Sequence, residues 1–125
     1  VCSSGARSEA LSHSSDVNSD VNLVRLAEAA VSHPEAGLLR RVGAGNAKMS
    51  IAEHEMEAGW VGAAHSHPHD QMAYVVYGRL KVRAGAENFD VAAGDTFVIR
   101  GGVEHQASAL EASKVIDIFT PYREY

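Results

Sequence analysis

The stretch GWVGAAHSHPHDQMAYVVYG, residues 59–78, decides how this chain is read. In it His65 and His67 stand one residue apart in a run that otherwise reads as extended backbone. Alternate residues of a strand leave the same face, so the two imidazoles point together as a chelating pair must. Gln71 follows four residues after His67, beyond a break at Pro68, and residues 72–77 then read as a strand ending at Gly78. A second stretch, GDTFVIRGGVEH at residues 94–105, has a glycine turn, a short apolar strand, a Gly-Gly turn and a single histidine. That histidine, His105, is the natural third imidazole.

Outward from these stretches the punctuation is regular. Glycines at 45, 59, 78, 85, 94 and 102 separate runs of strand length, which predicts an all-β antiparallel sandwich or barrel. Residues 79–83 alternate cleanly, placing Arg79, Lys81 and Arg83 on a solvated face and Leu80 and Val82 in the core. Phe89, Val91 and residues 97–99 continue the core, and residues 114–119 form a last strand that Pro121 ends. Toward the start, Leu23, Leu26, Ala27 and Ala30 share one face of a short helix capped by Asp20, or else form an edge strand; the pattern fits both. Pro34 and Gly37 mark a turn before an outer strand at residues 38–42, which contains Arg40 and Arg41. Residues 1–20, with seven serines and no apolar period, read as a flexible tail. Residues 21–125 read as one domain with its core at 38–120.

At 125 residues the chain is long enough for one sizeable core. Its net charge of −5, with no basic block to neutralise phosphates, argues against nucleic acid as a partner. No apolar run approaches the roughly 20 residues a membrane span needs. The single cysteine, Cys2, has no partner for an internal disulfide. A cytoplasmic location is expected, although a cysteine so near the start leaves an exported form open.

The chemistry expected here is that of a metal site. His65, His67 and His105 with the Gln71 amide oxygen make four donors for one divalent transition metal ion, with Ni, Zn, Fe and Mn all compatible. A glutamine brings no charge, so the ion keeps its full formal charge and acts as a stronger Lewis acid and a better trap for an anionic group. The same absence of a carboxylate weakens support for the higher oxidation states that oxygen activation needs. His69 is expected behind the ligands or in solvent, His54 in a surface or hydrogen-bonded role, and His13 and His33 in solvent. On the last strand Asp117 and Phe119 share a face. If that face is inward, Asp117 is a buried carboxylate that is costly unless paired or used, and so a candidate general acid or base.

The spacing Gly59-x5-His65-x-His67-x3-Gln71-x6-Gly78 resembles the first cupin motif, and Gly94-x7-Gly102-x2-His105 resembles the second. Gln71 stands where most cupins carry glutamate, and Arg100 where many carry proline. The run His-Ser-His-Pro-His-Asp-Gln at 65–71, with Asp117-x-Phe119-x-Pro121-x-Arg123 near the end, is similar to the small single-domain cupins of the KdgF, or pectin-degradation, type. The resemblance spans residues 38–125. It implies a double-stranded β-helix, a small jelly-roll barrel, with His65, His67, Gln71 and His105 as metal ligands. It also implies Asp117 and Arg123 as catalytic residues and Phe119 facing the substrate, with Tyr74 or Tyr122 as further lining. The implied partner is a small anionic sugar or organic acid, and the implied assembly a homodimer. The implied activity is isomerase-type: ring opening and ketonisation of unsaturated uronates released from pectin or alginate. Other metal-dependent chemistry on the same barrel (a dioxygenase, lyase or cyclase) and a non-catalytic sugar-binding or acid-binding cupin are the alternatives.

Overall fold

Apolar side chains recur at every second position through most of the strands, and among the described residues the backbone answers with nine of them. A computed structural model describes residues 20–125; the expected tail, apart from Asp20, lies outside the described residues. The strands are β1 (Ala30–Glu35), β2 (Leu38–Asn46), β3 (Met49–Met56), β4 (Asp70–Tyr77), β5 (Arg79–Ala84), β6 (Glu87–Ala92), β7 (Thr96–Ile99), β8 (His105–Ala109) and β9 (Ser113–Thr120). They pair antiparallel in two sheets, one ordered β1-β2-β3-β9-β4-β7 and the other β6-β5-β8.

One buried cluster joins the sheets. Leu38, Met56, Ala73, Val75 and Val115 come from the larger sheet, and Leu80, Val82, Val91 and Ala109 from the smaller. Burying a side chain of this kind stabilises by about 1.5–3 kcal/mol, so the interior fixes the register of every strand that feeds it. The architecture is the expected double-stranded β-helix, a jelly roll.

Alternation holds in detail where one face is buried. Leu80 and Val82 are buried and alternate with the exposed Arg79 and Lys81, as the pattern predicted, while Arg83 is half-buried. Within residues 97–99 only Ile99 is fully buried, because Val98 points outward. The start of the domain differs from both expectations. Leu26–Glu28 is a single 3₁₀ turn preceded by Arg25, Asp20 caps no helix, and Leu23 and Leu26 are exposed. The edge strand is β1, which begins only at Ala30 and runs through Pro34. Proline is tolerated there because an edge strand has one row of amides unpaired. The expected outer strand at 38–42 is therefore second from the edge and extends to Asn46. Among the described residues no helix is long and apolar enough to cross a membrane.

Candidate metal centre and its cavity

Residues 59–69 make no regular strand, but they are tied down where it matters. His65 and His105 form an isolated bridge, exchanging backbone hydrogen bonds of 3.0 and 2.9 Å. The Gly102 N–H donates to the His67 carbonyl at 2.8 Å. The Gly-Gly turn lets these segments meet: a Cβ on Gly101 would lie 2.2 Å from the Pro68 carbonyl oxygen. The Gly101 N–H in turn donates to Asp70 Oδ1 at 2.8 Å. Two short loops are thereby locked against each other, with His65 and His67 on one and His105 at the end of the other, as the first residue of β8.

The three imidazoles converge. Their candidate ligand nitrogens lie within 4.8 Å of one another, and the ring centroids are 4.5 to 5.5 Å apart. Each Nδ1 faces a backbone carbonyl: Ala63 for His65 at 3.1 Å, His69 for His67 at 3.1 Å and Val103 for His105 at 2.9 Å. A carbonyl only accepts, so each Nδ1 carries its ring's proton and each Nε2 is left with a lone pair. His105 Nε2 is buried without a hydrogen-bond partner among the described residues. His67 Nε2 faces Gln71 Oε1 at 3.1 Å. The Gln71 amide nitrogen donates to Asp117 Oδ1 at 2.9 Å, which turns the amide oxygen toward the imidazole. Two acceptors in contact and an orphaned third nitrogen are what a cation placed among them would satisfy. Three neutral imidazoles and an amide oxygen suit a divalent transition metal.

Burial holds the His67 ring below the usual imidazole range, and the Arg123 charge adds to the effect. Burial likewise lowers His105, with the His65 and Arg123 charges acting in the same direction. Both rings are thus kept in the neutral form that can bind a metal. The folded, metal-free protein then binds fewer protons than the unfolded chain just below the ordinary value of 6.5. Stability contributed by these groups is complete above that value and is lost as pH falls through it toward the lowered folded-state values. Denaturant melts of the stripped protein between about pH 8 and 5 should therefore show declining stability from the histidine range downward. A rise in stability on acidification would contradict this.

Beyond the imidazoles lies a cavity of about 520 Å³. Asp117, 6% exposed, faces into it, and its Oδ2 accepts from His54 Nδ1 at 2.8 Å. His54 Nε2 accepts in turn from Arg40 Nε at 3.1 Å. The Arg40 and Arg123 guanidinium carbons lie 4.0 and 5.0 Å from the centre of the Tyr125 ring, and Arg123 also lies 4.9 Å from that of Phe119. Among the described residues no carboxylate pairs with either guanidinium. At the rim, Glu35 accepts from Trp60 Nε1 and from the Ala63 N–H, both at 3.1 Å, pinning β1 to the histidine loop.

The structure brings together His65, His67, Gln71, His105, Asp117, Phe119 and Arg123. Tyr74 is not with them: it is 48% exposed on the outer face of β4 and does not line the cavity. Tyr74 lies three residues from Gln71 on one strand, and an odd separation sends it to the opposite face. Tyr122 is also outside the cavity lining; its ring lies against Gly45, and its carbonyl meets His69 Nε2 at 3.1 Å. Tyr125 takes the lining position instead. His69 sits behind the ligands, its ring 5.5 Å from that of His67. His33 is exposed and His13 lies outside the described residues. His54 takes the hydrogen-bonded role. Sequence reasoning missed Arg40, Glu35, Trp60 and Tyr125, and did not place His54 in the site. The parity of His54 with Ala52 and Met56, and of Arg40 with Leu38, carried the signal for two of them.

The model of the cupin domain matches residues 52–119, more than half of the chain, and this chain belongs to the cupin family. Uncharacterized protein SCO3923 of Streptomyces coelicolor is 30% identical over 74 residues, covering 58% of this chain and 70% of that protein. Among solved structures, an RmlC-like cupin from Shewanella frigidimarina superposes with a TM-score of 0.76 at 27% identity, over 82% of this chain and 92% of that one. KdgF from a Halomonas species superposes with a TM-score of 0.73 at 34% identity, over 81% of this chain and 94% of that one.

Proposed function

We propose that this cupin is a metal-dependent enzyme that promotes ring opening and ketonisation of unsaturated uronate sugars of the kind pectin and alginate breakdown releases. The observation that carries the reading is a buried carboxylate, Asp117, joined through Gln71 to the imidazole cluster in a cavity lined by Arg40 and Arg123, neither of which pairs with a carboxylate among the described residues. Similarity to KdgF from Halomonas supports it, since that likeness spans most of both chains.

His65, His67, Gln71 and His105 would hold the metal. When bound, such an ion supplies a Lewis acid that polarises a coordinated oxygen and stabilises charge developing on it. Arg123 carries the charge to hold the sugar carboxylate, with Arg40 also against the Tyr125 ring. Phe119 packs under Arg123 and gives the sugar an apolar wall. Ring opening breaks the bond between the anomeric carbon and the ring oxygen, the anomeric hydroxyl becoming a carbonyl as its proton passes to the freed oxygen, now an enol. Asp117 then takes the enol proton and returns it to the neighbouring alkene carbon. Nothing is gained or lost in that transfer, so no further reactant is needed.

The test is to mix metal-loaded protein with freshly generated unsaturated uronate and follow the alkene signal by NMR. The alkene should disappear faster than in buffer alone. Equal rates, with or without tight binding of the sugar, would overturn the reading and leave a binding cupin or a different reaction.

A further inference from the structure

Glutamine at position 71 has a neighbour that accounts for it. Asp117 Oδ1 lies 2.9 Å from the Gln71 amide nitrogen. A glutamate there would press two carboxylates together away from bulk water, whereas the amide supplies a donor. The contact continues across the sheet with a single polarity. A guanidinium only donates, so His54 Nε2 is the acceptor of the Arg40 bond and the ring's proton sits on Nδ1. That N–H donates to Asp117 Oδ2, and the other carboxylate oxygen is left for the Gln71 amide nitrogen. The Gln71 oxygen is then the only atom its amide can turn toward His67.

Strand register builds this row. Arg40 and His54 are direct cross-strand partners between β2 and β3. Asp117 on β9 is the partner of Ala52 on one side and of Ala73 on the other, so it meets His54 and Gln71 on the diagonals. Arg41, one residue on, turns to the other face and pairs with Glu53 and Glu55.

We propose that Arg40 and His54 are positioning residues that act through Asp117 to hold the Gln71 amide oxygen toward the imidazole cluster as a metal donor. This rests on the metal-site part of the reading above and not on the substrate. Without Arg40 the His54 proton is free to change nitrogens. Without His54 one oxygen of a buried carboxylate loses its donor. In either case the Gln71 amide is free to turn its NH₂ group, which cannot coordinate, toward the site.

The experiment is titration of the metal-stripped protein with Co²⁺, followed by calorimetry and by the visible spectrum of the bound ion. His54→Phe should weaken binding about ten- to hundredfold, the usual effect of removing a group that orients a ligand, and should shift the spectrum. His54→Asn, whose amide nitrogen stands near the Nδ1 position, should recover most of the affinity. Wild-type affinity and an unchanged spectrum in His54→Phe would overturn the proposal, as would an Asn variant no better than Phe. Should His54→Phe fail to fold, thermal melts of metal-free Gln71→Glu and of Gln71→Glu with Asp117→Asn decide. The single change should lower the melting temperature and the pair should restore it, whereas simply additive losses would overturn the coupling. None of these readouts involves a sugar, so failure of uronate turnover leaves them standing.

Discussion

Asp117→Asn is expected to slow ketonisation of an unsaturated uronate by about 10²–10⁴-fold in kcat, the range that a positioned acid-base group contributes. The substitution keeps the shape of the side chain and at least one acceptor for its two donors, His54 and Gln71. It removes the basic oxygen. Measurement at saturating metal separates loss of proton transfer from weakened metal binding, and KM should change little because Asp117 is not assigned the carboxylate. Melts should show the variant folded. Wild-type kcat in Asp117→Asn would mean that the proton moves through another group.

The largest effect on stability is expected from Gly78→Ala, in the one-residue connection between β4 and β5. Gly78 has a φ of +94°, a left-handed conformation that costs a residue with a Cβ roughly 1–2 kcal/mol. The added Cβ would also lie 2.1 Å from Ser113 Oγ and 2.4 Å from the Ala112 carbonyl oxygen. One of those contacts is backbone, so the strand connection itself must shift, at a further cost of about 1–3 kcal/mol. A total of about 2–5 kcal/mol is a large part of the roughly 5–15 kcal/mol that holds a domain together. Gly59→Ala is the control, since its φ of +90° is similar but nothing lies within 4 Å of the added carbon. Denaturant melts should place Gly78→Ala well below Gly59→Ala; equal midpoints would mean that the close approach costs nothing.

The parts of the site legible in the sequence were those with a local rule. His65 and His67 were placed by spacing, His105 by its position after a glycine turn, and Asp117 and Phe119 by the period of a strand. The same rule, applied to β4, excludes Tyr74 once Gln71 is taken as inward. Tyr122 and Tyr125 lie past Pro121, where no strand carries parity forward, so their exchange of roles had no sequence signal. Arg40 required knowing that β2 pairs with β3 and in what register, which is information about two distant segments. His54 shares parity with the buried Ala52 and Met56, but its charged neighbours Glu53 and Glu55 give the strand the look of a surface. β1 was the least legible element of the fold: five of its six residues are exposed, so no alternation marks it.

His65, His67, Gln71 and His105 are expected to share one ion. Calorimetric titration of the stripped protein with Zn²⁺ or Ni²⁺ tests this most directly. One ion per chain is predicted, with His105→Ala losing more affinity than the about tenfold to hundredfold that changes behind the ligands cause. Failure of the wild-type protein to take up a stoichiometric ion, or equal affinity in His105→Ala, would contradict the central claim.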